Sequence, residues 1–292
     1  MKNKGLTFTV IFRASSLNYG DSMGNEAVLK TVTLPDGNTY ARVSRQALLY
    51  EIRRQFPDGY LAELGQDSSD KSVIQYSSKA TIDKYPEIDL LGYMKTEKGA
   101  MSKTRSAVAR VSDAVALTPY KYDHDFLTNM GLAQRLIAST HEPHNNSIAS
   151  SDIDTNYYAY TVTIDLNLVG VDKNDGIEIP KEKRAERVNI FMDVIDNLYR
   201  DIRGRREDLH PLFIVGGLYD KKRPYFMNKV KMTGDSINVE PLSSGIPEGT
   251  VMAYDAGAFK NEDLLASDLG AIEGVDKAFE DLKEKVSDYY AN

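Results

Sequence analysis

Four arginines, Arg42, Arg45, Arg53 and Arg54, sit on or beside one short stretch, ARVSRQALLYEIRRQF. They follow a loop of small and amide side chains, Ala14 to Asn25 (ASSLNYGDSMGN). The chemistry open to such a set is anion binding. Gly20 and Gly24 let the backbone approach a ligand closely, and Ser15, Ser16, Asn18 and Asn25 offer neutral hydrogen bonds. Tyr19 can stack on a base or a ribose. Ser44 is a good helix cap, and Ser44, Arg45 and Gln46 stand at a helix start, where free amides and the dipole favour a phosphate. On a helical wheel Arg45 projects near Ile52, on the core side. A charge placed there must emerge at the helix tip or find an anion.

Other polar groups supply a second tier. Lys95, Lys98, Lys103, Arg105 and Arg110 fall in one basic run, which is either part of a charged channel or a solvated loop. Lys221, Lys222 and Arg223 precede Pro224-Tyr225-Phe226, a basic–aromatic pairing that suits single-stranded nucleic acid, although both aromatics also fit a core. His141-x-x-His144, with His124 near it in sequence, has no cysteine to support it, and we assign no metal site there. Neither a phosphate loop nor a serine nucleophile elbow is present, so no catalytic residue is assigned and no cofactor is expected.

The elements that must position these residues follow from periodicity. Leu6, Phe8, Val10 and Phe12 alternate with Thr7, Thr9, Ile11 and Arg13 and predict a strand with one buried face. Leu48, Leu49, Ile52 and Phe56 form one face of a helix that begins after Ser44 and stops at Pro57-Asp58-Gly59. Residues 60–122 lose periodicity and read as an excursion, partly mobile, with short strand-like pieces such as Ser106 to Leu117. Its ARVS (Ala109 to Ser112) repeats Ala41 to Ser44, too short a match to carry weight. Asp125 to Ser139 predicts a helix with Phe126, Met130, Ala133 and Ile137 as its stripe. Tyr157 to Val169 alternates cleanly and predicts a strand in an antiparallel sheet with one face open. A helix beginning at Pro180 has a stripe reaching Ile202, a short strand spans Pro211 to Val215 and ends at Gly216-Gly217, and a last amphipathic helix covers about Leu269 to Tyr290. The order strand, helix, excursion, strand, helix, strand is most of an α+β, ferredoxin-like βαββαβ unit. One strand is still owed by the middle or the C-terminal third.

The chain has 292 residues, no cysteine and a net charge of −7. The acidity is local: nine acidic residues against three lysines follow residue 260, leaving 33 basic against 34 acidic before it. Clustered basic charge on a near-neutral body is compatible with RNA binding. Without cysteines, a signal peptide or a long apolar run, a reducing cytoplasm is expected and a membrane is not.

The ordered set FRASSLNYGDSMGNE, ARVSRQALLYEIRRQ, TRSAVARVSDAVALTPY, the Tyr-rich strand and GGLYDKKRPYF resembles a CRISPR-associated family. It is similar to the Cas-seven backbone subunit in the DevR branch, used by type I-B Cascade. The resemblance implies an RNA-recognition-motif-like palm (residues 1–59 and 155–292, with the acidic helix), a finger-like insertion (60–154) and a thumb hairpin. Gly170 to Pro180 and Leu218 to Met232 are thumb candidates, with Ile177 or Met227 as a wedge. It further implies a non-catalytic subunit that binds guide RNA (crRNA) through its backbone, stacks head to tail with copies of itself and presents the guide to target DNA. Its other partners would be the large, small and guide-end cap subunits. The implied RNA contacts are Ser15, Asn18, Tyr19, Gly20, Asn25, Arg42, Ser44, Arg45, Gln46, Arg53, Arg54, Lys103, Arg105, Arg110, Lys221, Lys222 and Arg223. Two alternatives stay open. One is a metal-dependent relative that cleaves target RNA with Asp21 or a loop histidine, and the other is a structural or regulatory protein that acts through protein contacts.

Overall fold

The computed structural model describes residues 4–20, 24–66, 74–96 and 102–292. Asp21 and Lys98 lie outside these residues. The main elements are β1 (Gly5–Ser15), β2 (Thr31–Thr33), β3 (Thr39–Val43), α1 (Arg45–Arg54), α2 (Pro86–Leu91), β4 (Ala109–Val111) and β5 (Ala114–Ala116). They continue with α3 (Met130–Thr140), β6 (Thr155–Asp165), α4 (Lys181–Asp196), β7 (Phe213–Tyr219), β8 (Val251–Tyr254), α5 (Glu262–Leu269), β9 (Ile272–Glu273) and α6 (Val275–Ala291).

One nine-stranded sheet runs in the order β9-β8-β7-β1-β6-β5-β3-β2, with β4 also paired to β6. The pairs are antiparallel except β8 with β9. The middle of the chain supplies β4 and β5 beside β6, and the C-terminal third adds an edge to the sheet. The β1–β6 register sets Leu6 opposite Ile164, Phe8 opposite Val162, Val10 opposite Tyr160 and Phe12 opposite Tyr158. These side chains all face α1, α4 and α6 and form the main core with Leu48, Ile52, Val188, Phe191, Phe279 and Leu282. Each such buried side chain contributes roughly 1.5–3 kcal/mol. On the other face, Ile11, Phe213, Val215 and Met252 pack under Phe226, Val230, Leu242, Phe259 and Leu265. That cover stops short of β6 and β5, where a groove of about 610 Å³ opens over Thr9, Val115, Ala159 and Thr161.

Several sequence expectations are corrected. Residues 123–128 are a strand, not helix, and α3 begins only at Met130. No residue of α3 is buried, so its apolar stripe is not a core stripe. The fourth helix stops at Asp196, and Tyr199–Ile202 turns back as a strand against Arg205–Asp208. Strand β7 runs through Gly216-Gly217 instead of ending there, because a Cβ at Gly216 would stand 2.4 Å from Phe8 Cβ; only glycine lets the two strands meet. The final helix begins at Val275, and Ile272 is an exposed strand residue.

The excursion has its own small core of Ala80, Ile82, Ile88 and Tyr93. It is fixed to the body by Asp89, which is 0 % exposed. Its carboxylate accepts from Arg105 Nη2 and Arg187 Nη1, both at 2.7 Å, and from the Gly170 amide at 2.9 and 3.0 Å. Beside it, Glu87 accepts from Arg53 Nε (2.8 Å), Tyr76 hydroxyl (2.8 Å) and the Ala62 amide (2.9 Å). A buried carboxylate is tolerable only when its lone pairs are met in this way.

Candidate nucleic-acid interface

At its carboxyl end β1 passes into the loop through Ser16, a non-glycine residue at φ 50°. The conformation is held from both sides: Ser16 N donates to the Asp154 carbonyl (2.9 Å), and Asp154 N donates to Ser16 Oγ (3.1 Å). The loop then folds onto the residues after it. Gly20 N donates to Val28 O (2.7 Å), Lys30 N to Asn18 O (2.8 Å), and Ser44 N to Asn18 Oδ1 (2.9 Å). Asn18 thus ties the loop to the cap of α1. Tyr19 donates its hydroxyl to the Asp152 carbonyl at 3.1 Å, and the Asp152 carboxylate accepts from Leu29 N and the Tyr120 hydroxyl. Burial first, then Asp152, pushes the Tyr120 hydroxyl far above its ordinary range.

Ser44 caps α1 as expected, its Oγ accepting from Ala47 N at 3.4 Å. The helix start, however, is not open to an outside anion. Asp113, between β4 and β5, accepts from Arg45 N at 2.6 Å through Oδ1 and from Arg42 Nη1 at 3.3 Å through Oδ2. An internal carboxylate fills the place read from sequence as a phosphate cradle, and it also takes up the Arg42 charge. Arg45 is half-buried, and its guanidinium has no ion-pair or hydrogen-bond partner among the described residues.

Beside the loop lies the hairpin Tyr199–Ile202 and Arg205–Asp208. Arg205 Nη2 donates to Ser15 O (2.8 Å), and Ser15 N donates to Glu207 Oε2 (2.9 Å). At its tip Arg203 takes a left-handed φ of 50° and lays its guanidinium 3.8 Å from the centroid of the Tyr19 ring. The Arg203 side chain is exposed and has no carboxylate partner among the described residues. Its signal in the sequence was the Arg203-Gly204 turn dipeptide, hidden by reading the helix through to Ile202.

The remaining candidates divide. Asn25 and Gln46 are exposed, and the Asn25 carbonyl accepts from Ser150 N (2.9 Å). Arg53 is engaged with Glu87, and Arg54 with Glu51 (3.1 Å) and Asp201 (3.6 Å). Arg105 is half-buried on the Asp89 carboxylate and the Asp89, Leu168 and Val171 carbonyls, so this residue serves the fold. Lys103 pairs with Asp175 at 2.7 Å. Arg110 and Lys222 both reach Asp165, at 2.8 and 3.5 Å. Lys221 is exposed, and Arg223 stacks on Tyr225 at 4.4 Å. Asp165 pairs with Gly5, whereas Ser15 pairs with Thr155 at the other end of the same ladder. Ten residue steps of strand separate the two ends, about 33 Å. The basic residues therefore form two groups, and the loop, Arg45 and Arg203 make up one of them.

Above that end stands an arm, residues 123–153. Strand Asp123–Thr128 pairs with Ile148–Ile153, which in turn pairs with Glu26–Ala27, and α3 forms the tip. Phe126 is 71 % exposed, and Leu127, Met130, Leu132, Leu136 and Ile148 are exposed with it. The two hairpin candidates from sequence are smaller. Val171–Asp172 pairs with Ile177–Glu178, and Ile177 packs on the excursion's core. Residues 218–232 form no hairpin; Met227 is exposed and Phe226 is buried.

A family model described as "CRISPR-associated negative auto-regulator DevR/Csa2" matches residues 6–240. The chain belongs to the DevR/Csa2 family. The family expected from the ordered motifs is thus the one found. The DevR/Csa2 fold here is also similar to a chain of a "CRISPR RNA-guided surveillance complex, pre-nicking", with a TM-score of 0.62 at 11 % identity, covering 97 % of this chain and 100 % of that one. A chain of a "CRISPR RNA-guided surveillance complex" gives a TM-score of 0.58 at 12 % identity, covering 98 % and 99 %. No curated protein matches. Among the described residues of this DevR/Csa2 member, no helix is long and apolar enough to cross a membrane.

Proposed function

We propose that this chain is a guide-RNA-binding backbone subunit of a type I-B CRISPR surveillance complex, polymerising head to tail along the guide and presenting it to target DNA. The observation that carries the reading is the stacking of Arg203 on Tyr19 at the foot of an exposed apolar arm, in a loop that Asn18 ties to Ser44, next in sequence to Arg45, whose guanidinium has no partner among the described residues. Stacked aromatic and guanidinium planes with neutral loop donors suit an RNA backbone held without sequence readout. In this reading β7, β1, β6 and β4–β5, in that order with α1 and α4 behind them, act as an RNA-recognition-motif-like palm. Residues 60–108 act as the finger, and the arm 123–153 as the thumb, with Phe126 or the α3 tip as the apolar wedge. The chain is non-catalytic and works in the cytoplasm with the large, small and guide-end cap subunits.

The test is purification with the neighbouring subunits and a guide. Ribonuclease-sensitive absorbance and oligomers that scale with guide length are expected. Binding should weaken with salt at a slope of about 0.7 per phosphate contact. Arg203→Ala and Arg45→Ala should each lower that slope by about one contact. A chain that stays monomeric and fails to bind guide RNA at low salt would refute the reading. The family description also names a negative auto-regulator, which favours a regulatory second reading. That reading expects Arg45→Glu with Arg203→Glu to abolish guide binding yet leave regulation intact.

A further inference from the structure

At the foot of the arm, three strands bring together side chains that lie far apart in the sequence. Glu26 stands on the short strand Glu26–Ala27 and Asp152 on Ile148–Ile153. His124 stands on Asp123–Thr128, directly opposite Asp152 in the ladder. One ligand atom from each lies within 4.8 Å of the other two. Spacing in the sequence sets His124 with His141 and His144. The fold sets it with two carboxylates instead, while His144 Nε2 meets the Thr140 hydroxyl at 3.4 Å.

Asp152 is 3 % exposed, and its carboxylate is used unevenly. Oδ2 accepts from Leu29 N at 3.1 Å and from the Tyr120 hydroxyl at 2.8 Å. Oδ1 accepts no hydrogen bond from the described residues and stands 3.4 Å from His124 Nδ1. The imidazole packs edge-on against Tyr122 at 4.9 Å, and Tyr122 stacks on Tyr120 at 5.2 Å, so aromatic contacts place the ring. Neither ring nitrogen forms a hydrogen bond with a described residue, which leaves Nδ1 free to carry a lone pair. The gap between Nδ1 and Oδ1 is long for an imidazolium–carboxylate pair. It is the spacing of two ligands on one ion: each about 2.0–2.2 Å from the metal and a tetrahedral angle apart, they stand about 3.4 Å from each other. The two donors on Oδ2 are the support that a ligating carboxylate uses.

The geometry points to a Zn²⁺ site built from His124 Nδ1, Asp152 Oδ1 and a Glu26 carboxylate oxygen, with water in the fourth position. One imidazole and two carboxylates suit this ion. Glu26 is exposed, so its side chain closes on the ion without a shift of the buried strand beside it. The ion cross-links all three strands of the arm's sheet at their base. Because the Asp152 carbonyl also accepts from the Tyr19 hydroxyl, the same link fixes the arm to the loop after β1. The rival occupant is a proton, which would make His124 an imidazolium paired with the two carboxylates.

The test uses the full 292-residue chain, stripped with a chelator and titrated with ZnCl₂ by calorimetry and thermal melting. One Zn²⁺ per chain is expected, and at a hundredfold excess over Kd the midpoint should rise by about 4 °C. His124→Ala and Glu26→Gln change exposed residues, so both stripped variants should melt within about 2 °C of the parent. Each should bind Zn²⁺ at least about tenfold more weakly and lose the zinc-dependent rise. His144→Ala should bind Zn²⁺ as the parent does. Nitrogen chemical shifts should report Nδ1 of His124 as metal-bound when zinc is present. Absence of zinc binding, parental binding by His124→Ala or Glu26→Gln, loss of binding in His144→Ala, or an imidazolium signature for His124 in saturating zinc at neutral pH would each overturn the proposal.

Discussion

Replacing Asp89 with alanine should unfasten the excursion from the sheet body. The fully buried side chain holds two guanidiniums and an amide; Arg187 is buried with it, and Arg105 is half-buried. Truncation leaves Arg105 with the Asp89, Val171 and Leu168 carbonyls and Arg187 with those of Ile82 and Asp83. Neither charge is then neutralised, and breaking a buried pair in this way costs about 3–5 kcal/mol. At about 2.1 cal/mol/K per residue, the unfolding entropy of this chain is about 0.6 kcal/mol/K. The midpoint should fall by about 5–8 °C in a thermal melt followed by circular dichroism. Limited proteolysis should cut within residues 74–108 before it cuts the sheet. Pairing Asp89→Ala with Arg187→Met should cost less than the sum of the two, by about 1–3 kcal/mol, because the second change removes a stranded charge. A drop of less than about 2 °C for Asp89→Ala, or strict additivity in the double variant, would show that the network does not fasten the excursion.

Gly216→Ala should give insoluble protein or a melting loss above about 5 °C, since the new Cβ meets the Phe8 backbone and Cβ in the middle of the sheet; soluble protein with an unchanged melt contradicts this. Asp113→Ala should lower stability by about 1 kcal/mol through the lost helix cap, yet strengthen guide-RNA binding in a filter assay, because the competing carboxylate is gone. Equal or weaker RNA binding would remove Asp113 from the argument. Asp154, buried with Oδ2 unpaired, is raised above the ordinary carboxylate range by burial, with Asn156 and the Lys121 amide opposing. The folded chain therefore keeps this proton where the unfolded chain has lost it. Stability is greatest on the acid side and falls as pH rises through the raised value. Asp154→Asn should raise the melting midpoint at pH 8 more than at pH 5, and a shift equal at both would count against the assignment.

The parts of the fold legible in the sequence were those that local pattern dictates. The alternation of Leu6 to Phe12 and of Tyr158 to Ile164 set two neighbouring strands, and Ser44 marked the start of α1. What stayed hidden depended on distant partners. Asp113 reaches the Arg45 amide across 68 positions, and nothing in either local sequence announces it. The glycines at 216 and 217 read as a stop, but Gly216 lets β7 lie close against Phe8. The arm misled for a different reason: its apolar residues recur as a buried helix stripe would, and periodicity records apolarity without saying whether the chain itself covers it. The candidate cluster was legible only in part: the loop and helix start do meet, through Asn18 and Ser44, whereas Arg203 arrives from a hairpin that the helical pattern had absorbed.

The carboxylate of Asp113 acts as a resident decoy at the helix start. A lone inorganic phosphate would have to displace it at nearly even exchange, gaining little for the geometry lost. A polymer that presents several phosphates in series can yield that one contact and still hold on through the others, its later contacts made at high effective concentration. In the proposed guide-binding reading the decoy would discriminate by valency, disfavouring nucleotides and free phosphate at the helix start while a strand held through its other contacts still binds.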